Sequence, residues 1–151
     1  MRYFGKIISA VTLLASAGCV SSPDVSDSLS IDQLLAHPSK FDARAVVVVA
    51  YANIEFEIDT LCDIPSAGRE GCIWLTYNEE PYETEQDLVR YDAVEEKWRA
   101  FHGKRVLVRG TFNRGPSGHF GMYQGEFKRI TGVKLAPLNA NIRQGRAERA
   151  E

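Results

Sequence analysis

The residues from Val46 onward constrain the fold most. The even positions Val46, Val48, Ala50, Ala52, Ile54, Phe56 and Ile58 are all apolar. The odd positions are apolar through Val47, Val49 and Tyr51, then turn polar as Asn53, Glu55, Glu57 and Asp59. Strand side chains alternate between two faces, so one face is buried throughout and the other only in its first half. A strand whose halves meet different surroundings fits a long, bent strand shared by both sides of a small barrel.

Other elements follow from their own signals. Ser30-Ile31-Asp32-Gln33 reads as a capping box, with Leu29 and Leu34 at the positions of a hydrophobic staple. Pro38 ends that helix after about seven residues, because the residue before a proline is pushed out of helical geometry. A short strand is expected over Thr60 to Asp63 and a clearer one over Cys72 to Tyr77. Thr84 and Asp87 signal a second helix start, with Glu83, Glu85 and Asp87 at its positive end. Leu88, Tyr91, Val94, Trp98 and Phe101 then form a stripe on one face, and Gly103 stops the helix. Strands are expected over Lys104–Asn113, His119–Tyr123 and Glu126–Ala136, with a turn at Arg114–Gly118 and a register break near Arg129-Ile130.

The order is three strands, a helix and two strands with a hairpin extension. It resembles the OB-fold, a partly open five-stranded barrel with its main helix between strands 3 and 4. The resemblance covers residues 44–136 and predicts a mainly β domain over residues 30–136. It is similar to small OB-type domains of bacterial envelope lipoproteins of unknown role.

The first residues carry an address. Arg2 and Lys6 precede fourteen uncharged residues, Ile7 to Val20. Such a stretch reaches only about 21 Å as a helix, short of a hydrocarbon core of about 30 Å, so residues 1–18 read as a signal peptide. Ser16-Ala17-Gly18-Cys19 resembles the lipobox of bacterial lipoproteins, with Ser16 where leucine is usual. The resemblance implies lipidation of Cys19. With Val20 next, it also implies sorting to the inner leaflet of the outer membrane, facing the periplasm. An ordinary signal peptide with Cys19 incidental is the alternative. The tether would be residues 19–29, whose segment Ser21–Ser30 is polar and without apolar periodicity. Residues 137–151 form a polar tail expected to fray.

With Cys19 as anchor, Cys62 and Cys72 remain as an even pair in an oxidising compartment, flanking a Pro- and Gly-containing turn. They are expected to form a disulfide. A redox pair would usually be CxxC, and the spacing to His102 and His119 matches no familiar zinc pattern.

The chain has 151 residues, suited to one domain, and is 44% hydrophobic and 25% charged. These values argue against wholesale disorder and a multi-span membrane protein. The net charge of −2 argues against a general nucleic-acid binder. Charge is nevertheless uneven. Residues 53–101 carry 13 acidic and 4 basic side chains, whereas residues 102–134 carry seven basic ones (Lys104, Arg105, Arg109, Arg114, Lys128, Arg129, Lys134) and only Glu126. Phe112, Phe120, Tyr123 and Phe127 interleave with that basic stretch.

Arg105, Arg109, Arg114, His119, Phe120, Tyr123 and Lys128 are therefore the candidate ligand- or partner-binding residues. Self-neutralisation within the barrel is the competing account of the charges. The glycine-rich run Gly118–Gly125 reads either as a recognition loop using His119, Tyr123 and Gln124 or as glycine-driven barrel closure. No nucleophile elbow, HExxH, phosphate loop or dinucleotide fingerprint is present. Neither a cofactor nor a metal is expected. The sequence thus predicts a lipid-anchored, non-catalytic envelope module that binds another envelope protein or cell-wall polymer, not nucleic acid. A small anionic ligand or glycan on strands 104–134 is the alternative.

Overall fold

The computed structural model describes residues 27–65, 67–79 and 83–137. The expected signal peptide, Cys19, residues 19–26 of the tether and the tail from residue 138 lie outside them.

The long alternating segment forms β1, Arg44–Glu55. Val48, Ala50, Ala52 and Ile54 are buried in the core, as the even-position pattern requires. The strand then stops short of its expected end. Phe56 and Glu57 connect β1 to β2, Ile58–Cys62, with Glu55 opposite Ile58. Glu57 takes a left-handed φ of 59°, and Phe56 is 84% exposed. Once the chain has reversed, residue parity no longer maps onto a single face, so the apolar Phe56 gains no burial from its even number.

β2 runs antiparallel to β3, Cys72–Leu75, and β3 runs parallel to β5, Tyr123–Leu135. β5 and β1 both flank β4, Arg105–Ser117, antiparallel. The order β1-β2-β3-β5-β4 closes into a barrel, OB-fold-like in having its main helix between β3 and β4. Closure removes the free sheet edges that would otherwise invite pairing with other chains. β5 shifts register around Arg129–Thr131: Arg109 faces Gly132, whereas Thr111 faces Lys128, and Arg129 adopts φ 50°.

The segment His119–Tyr123 is not a strand. Gly118 and Gly121 have φ of 69° and 66°, Phe120 between them has 54°, and His119–Gly121 is a short 3-10 turn. Three positive φ values within four residues take the chain out of the extended region, so this segment makes a turn.

Among the described residues, two short helices and a long one pack on the barrel. α1, Ile31–Ala36, starts on the expected capping box: the Gln33 N–H donates to Ser30 Oγ at 3.1 Å, and the Ser30 N–H donates to Gln33 Oε1 at 2.9 Å. Ile31 and Leu34 seat it on the core. Pro38 does more than end this helix. It opens α2, Pro38–Phe41, at a first-turn position where its missing N–H costs nothing. Leu29 hydrogen-bonds to the edge of β1 that β2 does not reach, donating to Val47 O and accepting from Val49 N.

α3, Glu85–Arg99, docks by its C-terminal half. Trp98 is 4% exposed and stacks on Tyr77 at 5.6 Å, while Leu88, on the same stripe, is 52% exposed. The connection after α3 is pinned to β1: Gly103 N–H donates to Ala52 O, Ala52 N–H to Lys104 O, and Ile54 N–H to His102 Nδ1.

Candidate binding face around Arg109

The central strands sort their side chains by parity. Val48, Ala50, Val106 and Val108 fill the core, so the intervening residues of β1 and β4 lie on the other side of the sheet, where Val49 and Leu107 are nevertheless buried. Register lines these up in rows across three strands. Val47, Arg109 and Gly132 form one row, and Val49, Leu107 and Lys134 the next. A third row pairs Tyr51 with Arg105, whose carbonyl accepts from Ala136 N–H.

Two shallow grooves meet on this face. One, about 320 Å³, is lined by Val47, Leu107, Arg109, Thr131, Gly132, Val133 and Lys134. A Cβ on Gly132 would meet nothing within 4 Å, so the missing side chain helps keep this groove open. The other, about 510 Å³, is lined by Asp27, Leu29, Phe41, Ala45, Val46, Val47 and Arg109. Both lie in the range of roughly 300–1,000 Å³ that small-molecule sites occupy. Val47 and Arg109 belong to both grooves.

The basic residues of the late strands have divided fates. Arg114 donates through Nε to Asp42 Oδ2 at 3.1 Å and through its guanidinium to Ser39 Oγ at 3.1 Å. The Arg114 backbone N–H, and then its side chain, hold the Asp42 carboxyl below its ordinary value. Lys128 pairs with Glu126 at 3.2 Å, and Arg129 with Glu79 at 3.9 Å. Self-neutralisation thus accounts for these three. Arg109 and Lys134 have no ion-pair partner among the described residues, and they share a groove.

Arg105, Arg109, Phe120 and Tyr123 do not share one exposed face. Arg105 opens β4 and Arg109 lies four positions further on, whereas Phe120, 95% exposed, belongs to the turn beyond the strand's other end. Tyr123 is 6% exposed and packs against Cys62 and Cys72. His119 sets its ring edge against Trp74 at 5.8 Å.

Cys62 and Cys72 form the expected disulfide, directly opposite each other on β2 and β3 with Cα atoms 4.1 Å apart. Leu61, Ile73 and Leu75 point into the barrel, so the disulfide lies on its outer side, in a separate small cluster with Tyr123, Trp74 and Ala67. The glycine-rich turn is thereby fastened to the barrel, and its Tyr123 is occupied in packing.

Sequence reading gave strands 104–134 as an alternative ligand surface but did not single out the groove-lining Thr131, Gly132, Val133 or Lys134. Lys134 carried the one usable signal, its charge. It also missed the pairing of Asp59 with Tyr77, which are distant in sequence and joined only by the barrel. Burial lifts the Asp59 carboxyl to about 6; the Tyr77 hydroxyl opposes this, Glu95 adds to it and Arg99 opposes it. Burial and the Asp59 charge push the Tyr77 phenol well above its ordinary value. Tyr77 stands between Tyr91 and Trp98 of α3, its hydroxyl beside Asp59 but without a hydrogen bond of full geometry. Among the described residues, no group of three or more His, Cys, Asp or Glu side chains could hold a metal ion. No described helix is long and apolar enough to cross a membrane.

No family model and no curated protein matches the chain. Among solved structures, a chain assigned as an aspartyl-tRNA synthetase from Leishmania major Friedlin is similar at 12% identity and a TM-score of 0.42. The match covers 83% of this chain and 23% of that one, so this chain spans less than a quarter of its neighbour's length. A likeness this slight says nothing of function.

Proposed function

We propose that this chain is a lipid-anchored, non-catalytic binding module of the cell envelope, and that it meets an anionic envelope protein or polymer on the outer face around Arg109. One observation carries the choice of face: Arg109 and Lys134, two cations without an ion-pair partner among the described residues, line the same groove. Cations already satisfied by a neighbouring carboxylate gain little from a further anion, whereas unpaired ones set both steering and specificity. The lipobox-like Ser16-Ala17-Gly18-Cys19 supports the anchor. Asp27 lines the second groove and lies eight positions after Cys19, so a lipid there would be held within about 29 Å of this face.

Crosslinking of the intact protein in its own cells, followed by identification of what is recovered, tests the reading. An anionic envelope component should be enriched with the wild type and lost with Arg109→Glu plus Lys134→Glu. Recovery that ignores the charge reversal would remove this face from consideration. Cys19→Ser should abolish lipid labelling and release the protein from the membrane fraction; persistent labelling would overturn the anchor.

A further inference from the structure

We infer that the two grooves meeting at Arg109 are one site for an anionic amphiphile, a molecule with a phosphate-type head and an acyl tail. This rests on the binding face proposed above, and assigns that face a small ligand beside its protein or polymer partner. The grooves differ in polarity by degree, since Val47 and Arg109 line both. The smaller holds both unpaired cations, Arg109 and Lys134, together with Thr131 and the open space at Gly132. The larger is built from Leu29, Phe41, Ala45, Val46 and Val47, with Asp27 as its acidic member. Leu29, Phe41, Val46 and Val47 are only half-buried there, apolar surface that a tail would cover. A purely polar anion would use the first groove and leave the second wet. A neutral hydrocarbon would use the second and leave two cations unanswered. A head between Arg109 and Lys134 with a tail running past Val47 toward Leu29 and Phe41 satisfies both.

The barrel fixes the backbone positions of the residues that line the site. Val47 sits directly across from Arg109, and Leu107 from Lys134, in the register of a closed barrel. Leu29 is held to β1 by two backbone hydrogen bonds of 2.9 and 2.8 Å. The backbone frame of the site is therefore preformed, and the ordering cost of binding falls mainly on the Arg109 and Lys134 side chains.

The test titrates the full chain with dihexanoylphosphatidylglycerol below its micelle-forming concentration, following the methyl signals of Leu29, Val46, Val47 and Leu107 by NMR. These signals should shift together and saturate. Arg109→Gln with Lys134→Gln should weaken binding about tenfold, the loss expected of two surface charge contacts. Ala45→Asp, a substitution at an exposed position, should also weaken it by placing a carboxylate in the tail groove. Dihexanoylphosphatidylcholine should bind more weakly, and inorganic phosphate should leave Leu29 and Val46 unmoved. Phosphate producing the same shifts at the same concentrations would overturn the amphiphile while leaving an anion-binding face in place. Equal binding of the two lipids, or no saturable shift with either, would overturn it outright. If lipid binding holds while charge reversal leaves cellular crosslinking unchanged, the amphiphile site stands and the proposed function falls.

Discussion

The indole of Trp74 occupies the space a side chain at Gly118 would need: a Cβ built there would stand 2.4 Å from the ring. Gly118 also holds φ 69° and ψ −162°, a region open in practice only to glycine. Gly118→Ala should therefore lower stability by about 2–4 kcal/mol in denaturant unfolding, from strain and overpacking together. Gly132→Ala is the control. Its Cβ meets nothing and its φ is not positive, so its stability should stay within about 1 kcal/mol of the wild type. Equal effects at the two glycines would mean that the Trp74 contact does not hold the turn.

The disulfide belongs to the same small cluster as Trp74. Cys62 and Cys72 are ten positions apart, and closing so short a loop removes roughly 2–3 kcal/mol of unfolded-chain entropy. Reduction, or Cys62→Ser with Cys72→Ser, should lower the unfolding midpoint by a corresponding amount. The barrel core is a separate cluster and should survive, with the largest loss of amide protection at Tyr123 and Trp74. Protection lost evenly across β1 and β4 would show that the bridge supports the whole barrel.

Much of this architecture was legible because it rests on local or repeating signals. The parity of Val48, Ala50, Ala52 and Ile54 reported the core face of β1, and Ser30 with Gln33 reported a capping box that forms as written. What could not be read was where the chain turns without announcing it. Phe56-Glu57 contains no Gly, Asn or Pro, yet it reverses the chain with Glu57 at positive φ. The glycines at 118 and 121 were visible, but not that their positive φ would replace a strand by a turn. The face around Arg109 was half legible. Its charge excess was plain, whereas the partners that neutralise Arg114, Lys128 and Arg129 come from the residue after α2, β5 itself and the segment after β3. Only the closed barrel decides which cations are left over.

Asp59 gives the fold a defined pH response. Burial raises its carboxyl from 3.8 to about 6, so the folded state binds the proton more tightly than the unfolded chain. The stabilisation is fully present below about pH 3.8 and is lost as pH rises through about 6. Asp59→Asn should flatten this part of the profile and leave the variant more stable than the wild type above pH 6. Melting temperatures of both proteins between pH 4 and 7 check this. Parallel curves would show that Asp59 titrates alike in the folded and unfolded chain.

The stripe on α3 should divide in its energetics as it does in its packing. Trp98 is buried against Tyr77 and Phe101, and truncating it leaves a cavity between helix and barrel. Trp98→Ala should cost about 3–5 kcal/mol, the range for a large buried aromatic. Leu88 occupies the same stripe, yet half its surface already meets water. Leu88→Ala should change stability by no more than about 0.5 kcal/mol, because little apolar area is returned to solvent and alanine favours the helix. Denaturant unfolding of the two variants separates the cases. A large loss at Leu88 would mean that the N-terminal half of α3 packs against something in solution, and that its apolar side is a contact surface in its own right.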